Sequence, residues 1–254
     1  THVDDWEVLA PVRNMPHGVQ NINNLFHQKY RQRQMDMVKA PWRSIPKAMG
    51  DEGIVYGDKV INVQNKSRKY WDVADKANHD GYVANGELGL VCGLYARKKR
   101  PKYMHVVFSS QNGRTYSFDG RDFNDEDGTH TLELAYALTI HKAQGSQFKT
   151  VILVLPATCR IASRELMYTA MTRQIERIII LYQGEPYQLL QYADEANSDI
   201  ARRFTDLFAD VFPDNDYKPQ IVEVKGTFFD ERLIHKTVRG ELVRSKSEVI
   251  IANA

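Results

Sequence analysis

Apolar and polar positions fall into three textures along the 254-residue chain. The first runs to about residue 50. The short apolar run Trp6-Glu7-Val8-Leu9-Ala10, ended by Pro11, predicts a strand, and Ile22, Leu25 and Phe26 at helical spacing predict a helix over 21–30. Pro41 and Pro46, with few periodic positions between 31 and 50, predict a connector. From Gly57 onward the runs shorten: 59–63, 89–94, 105–108 and 115–118 are β-prone segments separated by turn residues, the pattern of a small antiparallel barrel. The polar, turn-rich stretch between Lys66 and Asn85 reads as a long exposed loop or hairpin tip.

After 125–128 the texture reverts to fully apolar strands alternating with helix: 134–140, 151–155, a helix over 164–172, and 178–182. Such alternation marks a parallel sheet covered on both faces. The expected fold is therefore α/β. Residues 1–50 and 130–186 form a parallel sheet flanked by helices, 51–129 an inserted small antiparallel β-barrel, and 187–254 a C-terminal extension that starts with a helical stretch through Leu207 and Phe208.

Composition changes this picture little. Thirty-four basic against thirty-two acidic residues leave a formal charge of +2, so any nucleic-acid surface must be local. Two distant cysteines, Cys92 and Cys159, argue against a disulfide framework or a zinc site, and no metal-ligand set is expected. No apolar run approaches the roughly 18 residues needed to span a bilayer, and the start is not a signal peptide, so a cytoplasmic location and no membrane partner are expected. A start without Met and an end inside an apolar run lead us to expect an excised piece.

The chemistry is concentrated in two blocks. The first, Ala135-Tyr136-Ala137-Leu138-Thr139-Ile140-His141-Lys142-Ala143-Gln144-Gly145-Ser146-Gln147-Phe148, precedes the strand at Val151. The second is Glu165-Leu166-Met167-Tyr168-Thr169-Ala170-Met171-Thr172-Arg173-Gln174. Taken singly, such residues fit a buried strand with a polar turn and an amphipathic helix with a surface arginine. As ordered blocks they closely resemble motifs V and VI of the RecD-like branch of superfamily 1 DNA helicases. Val8 to Asn14, with Gly18 and 21–25, is similar to motif IV. Tyr56 to Ile61 with Val83 to Gly89 is similar to the Src-homology-like barrel these helicases carry before motif V.

The resemblance covers about residues 3 to 183 and implies a second RecA-like motor domain, UvrD/RecD-like. Arg173 is then the arginine finger and Arg13 a second phosphate-facing cation, both catalytic, while Gly145, Gln147 and Arg173 meet the nucleotide. The family usually has Glu where this chain has Gln147, which keeps the reach and loses the charge. Thr139, His141, Lys142 and Gln144 are expected on DNA. The basic run holding Arg97, Lys98 and Lys99 either follows a DNA backbone or is a solvated hairpin tip.

No G-x-x-x-x-G-K-[ST] phosphate loop occurs in the sequence. ATP and Mg2+ would accordingly be held with the N-terminal RecA-like domain of the same full-length protein, and single-stranded or duplex DNA would be the other partner. On its own this stretch is expected to be inactive as an ATPase. Two other classes compete: a single-strand-binding module without a motor, and a helicase-nuclease. The second is suggested by 240–252, which faintly resembles the first helix of restriction-endonuclease-like nucleases.

Overall fold

The computed structural model describes residues 2–41, 45–92, 102–123, 130–157, 159, 161–199, 235–236 and 242–243. Four strands, β1 (Trp6–Ala10), β9 (Ala137–Thr139), β10 (Phe148–Leu155) and β11 (Gln174–Tyr182), form a parallel sheet in the order β11-β10-β1-β9. Helix α1 (Val19–Lys39) follows β1 and lies against β9, and α2 (Arg164–Met171) precedes β11 and packs on it. Leu9, Leu138, Val151, Leu153 and Leu155 are buried between the sheet and its cover. This is the parallel sheet with helices that the alternating apolar runs predict.

Seven antiparallel strands interrupt it: β2 (Lys59–Asn62), β3 (Lys66–Asp72), β4 (Ala77–Val83), β5 (Leu88–Cys92), β6 (Met104–Phe108), β7 (Arg114–Phe118) and β8 (Leu132–Leu134). Their order is β4-β3-β7-β6-β5-β2-β8. Among the described residues no hydrogen bond closes β4 onto β8, so in its pairing the expected barrel is an open sheet with two edges. One of its faces buries Phe108, Tyr116 and Phe118. The stretch 66–85 is ordered as the β3–β4 hairpin, paired from Lys66↔Val83 to Asp72↔Ala77.

Two further differences have local causes. Helix α1 continues nine residues beyond the expected 21–30 because 31–39 holds good helix formers and Met37 and Val38 rest on the core; Pro41 then forbids continuation. The apolar run 134–140 is two strands rather than one. Leu134 ends β8, paired to β2, and Ala137 begins β9, paired to β1, so the chain changes sheets at Ala135-Tyr136.

Beyond β11, 186–193 and 195–197 form 3-10 turns. Separately, β12 (His235–Lys236) and β13 (Leu242–Val243) make a short antiparallel pair. The basic run at Arg97, Lys98 and Lys99, the helix expected through Leu207 and Phe208, and all of 240–252 except Leu242 and Val243 lie outside the described residues. No helix among the described residues is long and apolar enough to cross a membrane.

A candidate nucleotide and nucleic-acid site on two sheet edges

Parallel strands give the sheet a carboxyl edge and an amino edge, and the register assigns each candidate residue to one of them. Ala10 pairs with Thr139, so the loops after β1 and β9 leave together at the carboxyl edge. Phe148 pairs with Gln174, so the loops before β10 and β11 meet at the amino edge. With Trp6 level with Thr150, the two edges are six residues apart, roughly 20 Å at about 3.3 Å per residue. Arg173, expected as the arginine finger, and Arg13, expected as a second phosphate-facing cation, leave the sheet at opposite edges.

At the carboxyl edge, Thr139 is half-buried and its Oγ1 accepts the Lys142 N–H at 3.2 Å, tightening a helical turn in which the Ala143 N–H donates to the Thr139 carbonyl. That turn leaves His141 and Gln144 exposed. Lys142 Nζ lies 2.9 Å from Glu133 Oε2, and Arg13 Nη2 lies 3.2 Å from Glu133 Oε1. Burial works to raise the Glu133 carboxyl, but Lys142 and Arg13 outweigh it and hold it below its ordinary range. Beside it, burial pushes the Glu52 carboxyl up, while its Oε2 accepts the Leu134 N–H at 2.6 Å. Arg13 itself is set by the turn into α1. A Cβ on Gly18 would sit 2.5 Å from the Arg13 carbonyl oxygen, so only glycine allows the chain to fold back there.

The amino edge is built by the end of the same loop. Gly145 has φ +91° with open space where a side chain would point, and Gln147 beside it is exposed. Arg173 follows the last turn of α2, whose start is capped by Ser163 Oγ accepting the Leu166 N–H at 3.2 Å. As expected for this helix, Leu166 and Ala170 are buried. The guanidinium is half-buried. Nε donates to the Thr169 carbonyl at 3.0 Å, Nη1 to the Ser146 carbonyl at 3.3 Å, and Nη2 to Thr172 Oγ1 at 3.0 Å. Every one of these acceptors is neutral, and no described carboxylate pairs with Arg173. Three of its five N–H donors are thus committed and two remain.

Three buried polar contacts that sequence reading missed hold these edges. Asn23, reaching from α1, donates Nδ2 to the Leu134 and Ala137 carbonyls at 3.0 and 3.2 Å and accepts the Ala137 N–H at 2.7 Å. Asp58, fully buried, accepts from the Tyr136 hydroxyl at 2.7 Å and the Val55 N–H at 2.7 Å, with His27 Nδ1 at 3.1 Å and Arg31 Nε at 3.4 Å. Lys59 Nζ lies 2.9 Å from Glu7 Oε2 and donates to the Trp6 carbonyl at 2.7 Å. Their partners are far apart in sequence, which left no local signal. Glu133 had a weak one, a single acid between Leu132 and Leu134.

Comparison with known proteins places this geometry in a family. Residues 134–181, which span both loops and α2, match the UvrD-like helicase C-terminal domain. Among curated relatives, an uncharacterized protein of Methanocaldococcus jannaschii is 32% identical over 199 residues, 77% of this chain and 15% of that protein. The ATP-dependent RecD2 DNA helicase of Deinococcus radiodurans is 29% identical over 185 residues, 72% of this chain and 21% of the helicase. The chain thus spans about a fifth or less of the length of these relatives. A crystal structure of Pif1 helicase from Bacteroides with ADP-AlF3 and single-stranded DNA aligns over 76% of this chain and 45% of its own, at 19% identity and a TM-score of 0.43. On the family match over residues 134–181 and the aligned RecD2 relative, the chain carries a UvrD-like C-terminal domain of the superfamily 1 helicase type.

Proposed function

We propose that this domain is the second half of an ATP-driven DNA motor. In this reading its amino edge completes a nucleotide site shared with an N-terminal RecA-like domain, and its carboxyl edge forms part of the track for a single strand. The observation that carries the reading is the state of Arg173, a half-buried permanent cation that among the described residues is held only by neutral acceptors, beside the open backbone of Gly145. A guanidinium in that state lacks an anion, and its two uncommitted donors suit the oxygens of a phosphoryl group.

ATP, with its magnesium, would supply the phosphoryl group whose transfer to water drives the cycle. Arg173 would neutralise charge on that group as it transfers, Gly145 would let backbone approach the nucleotide, and Gln147 would reach toward the sugar. At the other edge, Thr139, His141, Lys142 and Gln144 would contact strand phosphates, and Arg13 belongs with them by position. The loop 140–147 joins the two sets, so strand contact and finger position are linked through one short segment.

Single-strand-stimulated ATP hydrolysis by the intact protein, with Arg173→Ala beside it, tests this. The substitution should lower turnover by about a thousandfold or more while nucleotide binding survives. Retained turnover would remove Arg173 from the finger role. An intact protein that binds strands without hydrolysing ATP would be a binding module rather than a motor.

A further inference from the structure

We propose that Glu133 is an internal stand-in for a strand phosphate: without DNA its carboxylate occupies the cations of the carboxyl edge, and a phosphodiester of the bound strand displaces it. The inference rests on the reading of Arg13 and Lys142 as strand contacts.

The carboxylate divides its oxygens between the two cations, Oε1 to Arg13 Nη2 at 3.2 Å and Oε2 to Lys142 Nζ at 2.9 Å. The two non-bridging oxygens of a phosphodiester could make the same division. Exposure fits an exchange: the Arg13 side chain is 55% accessible, and Glu133, at 22%, approaches it from beneath. Glu133 cannot drift, because β8 is registered on β2 with Glu133 opposite Ile61. The recess below, bounded by Glu52, Asn23 and Thr139, measures about 40 Å³. That is space for about one water, so a phosphate cannot enter beside the carboxylate and must take the cations from it at the rim.

Glu52 shares the recess and its charge also reaches Arg13 and Lys142, but among the described residues only Glu133 pairs directly with them. Glu52 is committed to the Leu134 amide. Nor is the start of α1 an open anion site, since the Val19 and Gln20 N–H groups already donate to the Val12 and Arg13 carbonyls. Arg13 and Lys142 are therefore prealigned but partly neutralised, and strand binding must include the cost of releasing Glu133. Because β8 is the last strand of the inserted sheet and leads directly into β9, the exchange also reports strand occupancy to the insert.

The test is fluorescence anisotropy of a labelled oligothymidylate against the intact protein across a salt series. Glu133→Gln keeps the shape and removes the charge. It should bind about fivefold tighter at low salt, by the Coulomb energy of one charge at contact distance in water. The log–log salt slope should steepen by up to about 0.7, the equivalent of the one charge removed. Adding Lys142→Ala and Arg13→Ala to Glu133→Gln should erase the gain. If Glu133→Gln folds poorly by its unfolding curve, Glu133→Asp, which withdraws the charge by one methylene, should give an intermediate gain. Unchanged affinity and slope in a folded Glu133 variant, with Lys142→Ala still weakening binding, would overturn the stand-in and leave the strand track intact. If neither Lys142→Ala nor Arg13→Ala weakens binding, the track and the stand-in both fall.

Discussion

Asn23→Ala should cost far more stability than a surface asparagine, because its side chain does the work of a missing strand. β9 is three residues long, lies at the edge of the parallel sheet, and among the described residues pairs only with β1. On its free side Asn23, 2% exposed, accepts the Ala137 N–H and donates to the Ala137 and Leu134 carbonyls. Alanine leaves one donor orphaned and two acceptors short of a partner where water is excluded. At about 1–3 kcal/mol for a buried orphan donor, and less for carbonyls with a second lone pair, the loss comes to about 3 kcal/mol. Urea unfolding at neutral pH measures it. Asn23→Asp, which keeps the acceptor and loses both donations, should fall between alanine and the native residue or below both. A loss under about 1 kcal/mol for Asn23→Ala would refute the reasoning, since it would mean that Ala137 is satisfied without Asn23.

Other perturbations follow from the same contacts. Burial pushes the Glu7 carboxyl from 4.5 up to about 8 against the opposing pull of Lys59, so its contribution to stability is complete below about pH 4.5 and is lost as pH rises toward 8. Unfolding midpoints of Glu7→Gln should therefore fall less than those of the native protein over that window; parallel curves would dismiss the assignment. Tyr136→Phe removes a 2.7 Å hydrogen bond to the buried Asp58 carboxylate and should cost about 1.5–3 kcal/mol by urea unfolding, with no change meaning that Asp58 re-pairs. Gly145→Ala meets no atom but must hold φ +91°, so a loss of about 1 kcal/mol is expected, with DNA-stimulated hydrolysis falling further; full activity would separate that backbone from the nucleotide.

Much of this was legible in the chain itself. The fully apolar runs at 151–155 and 178–182 named a parallel sheet, although only β10 is covered on both faces and the edge strand β11 leaves Ile179 and Leu181 exposed; the two loops were legible as ordered blocks rather than as single residues. What escaped depends on partners far away in sequence. The run 134–140 shows no break because β8 and β9 are equally apolar; the turn between them is set by Asp58, 78 residues from the Tyr136 it binds. The nine further residues of α1 carry few apolar positions and were invisible to periodicity, although Pro41 marked their end. Turn spacing announced an antiparallel insert, yet nothing in it says whether the first and last strands meet. Opposite edges for Arg13 and Arg173 follow only from register, which the sequence leaves open.

The insert is joined to the parallel sheet by unusually polar contacts. Glu7 on β1 meets Lys59 on β2; Asp58, just before β2, meets His27 and Arg31 of α1; and Asn23 of α1 meets the crossing from β8 to β9. Around them Trp6, Phe26 and Tyr136 stack at 5.6 Å between centroids. Aliphatic residues of equal volume could hold such a junction at least as strongly, because buried charges recover little beyond their desolvation. Hydrogen bonds and ion pairs add direction, fixing one angle between the sheets where apolar contacts would tolerate several. That angle places Glu133, at the end of the insert, against Arg13 and Lys142, at the carboxyl edge of the parallel sheet. The insert is therefore not an appendage beside the carboxyl edge but supplies one of its walls, and a substitution that loosens the junction should disturb strand binding before it unfolds either sheet.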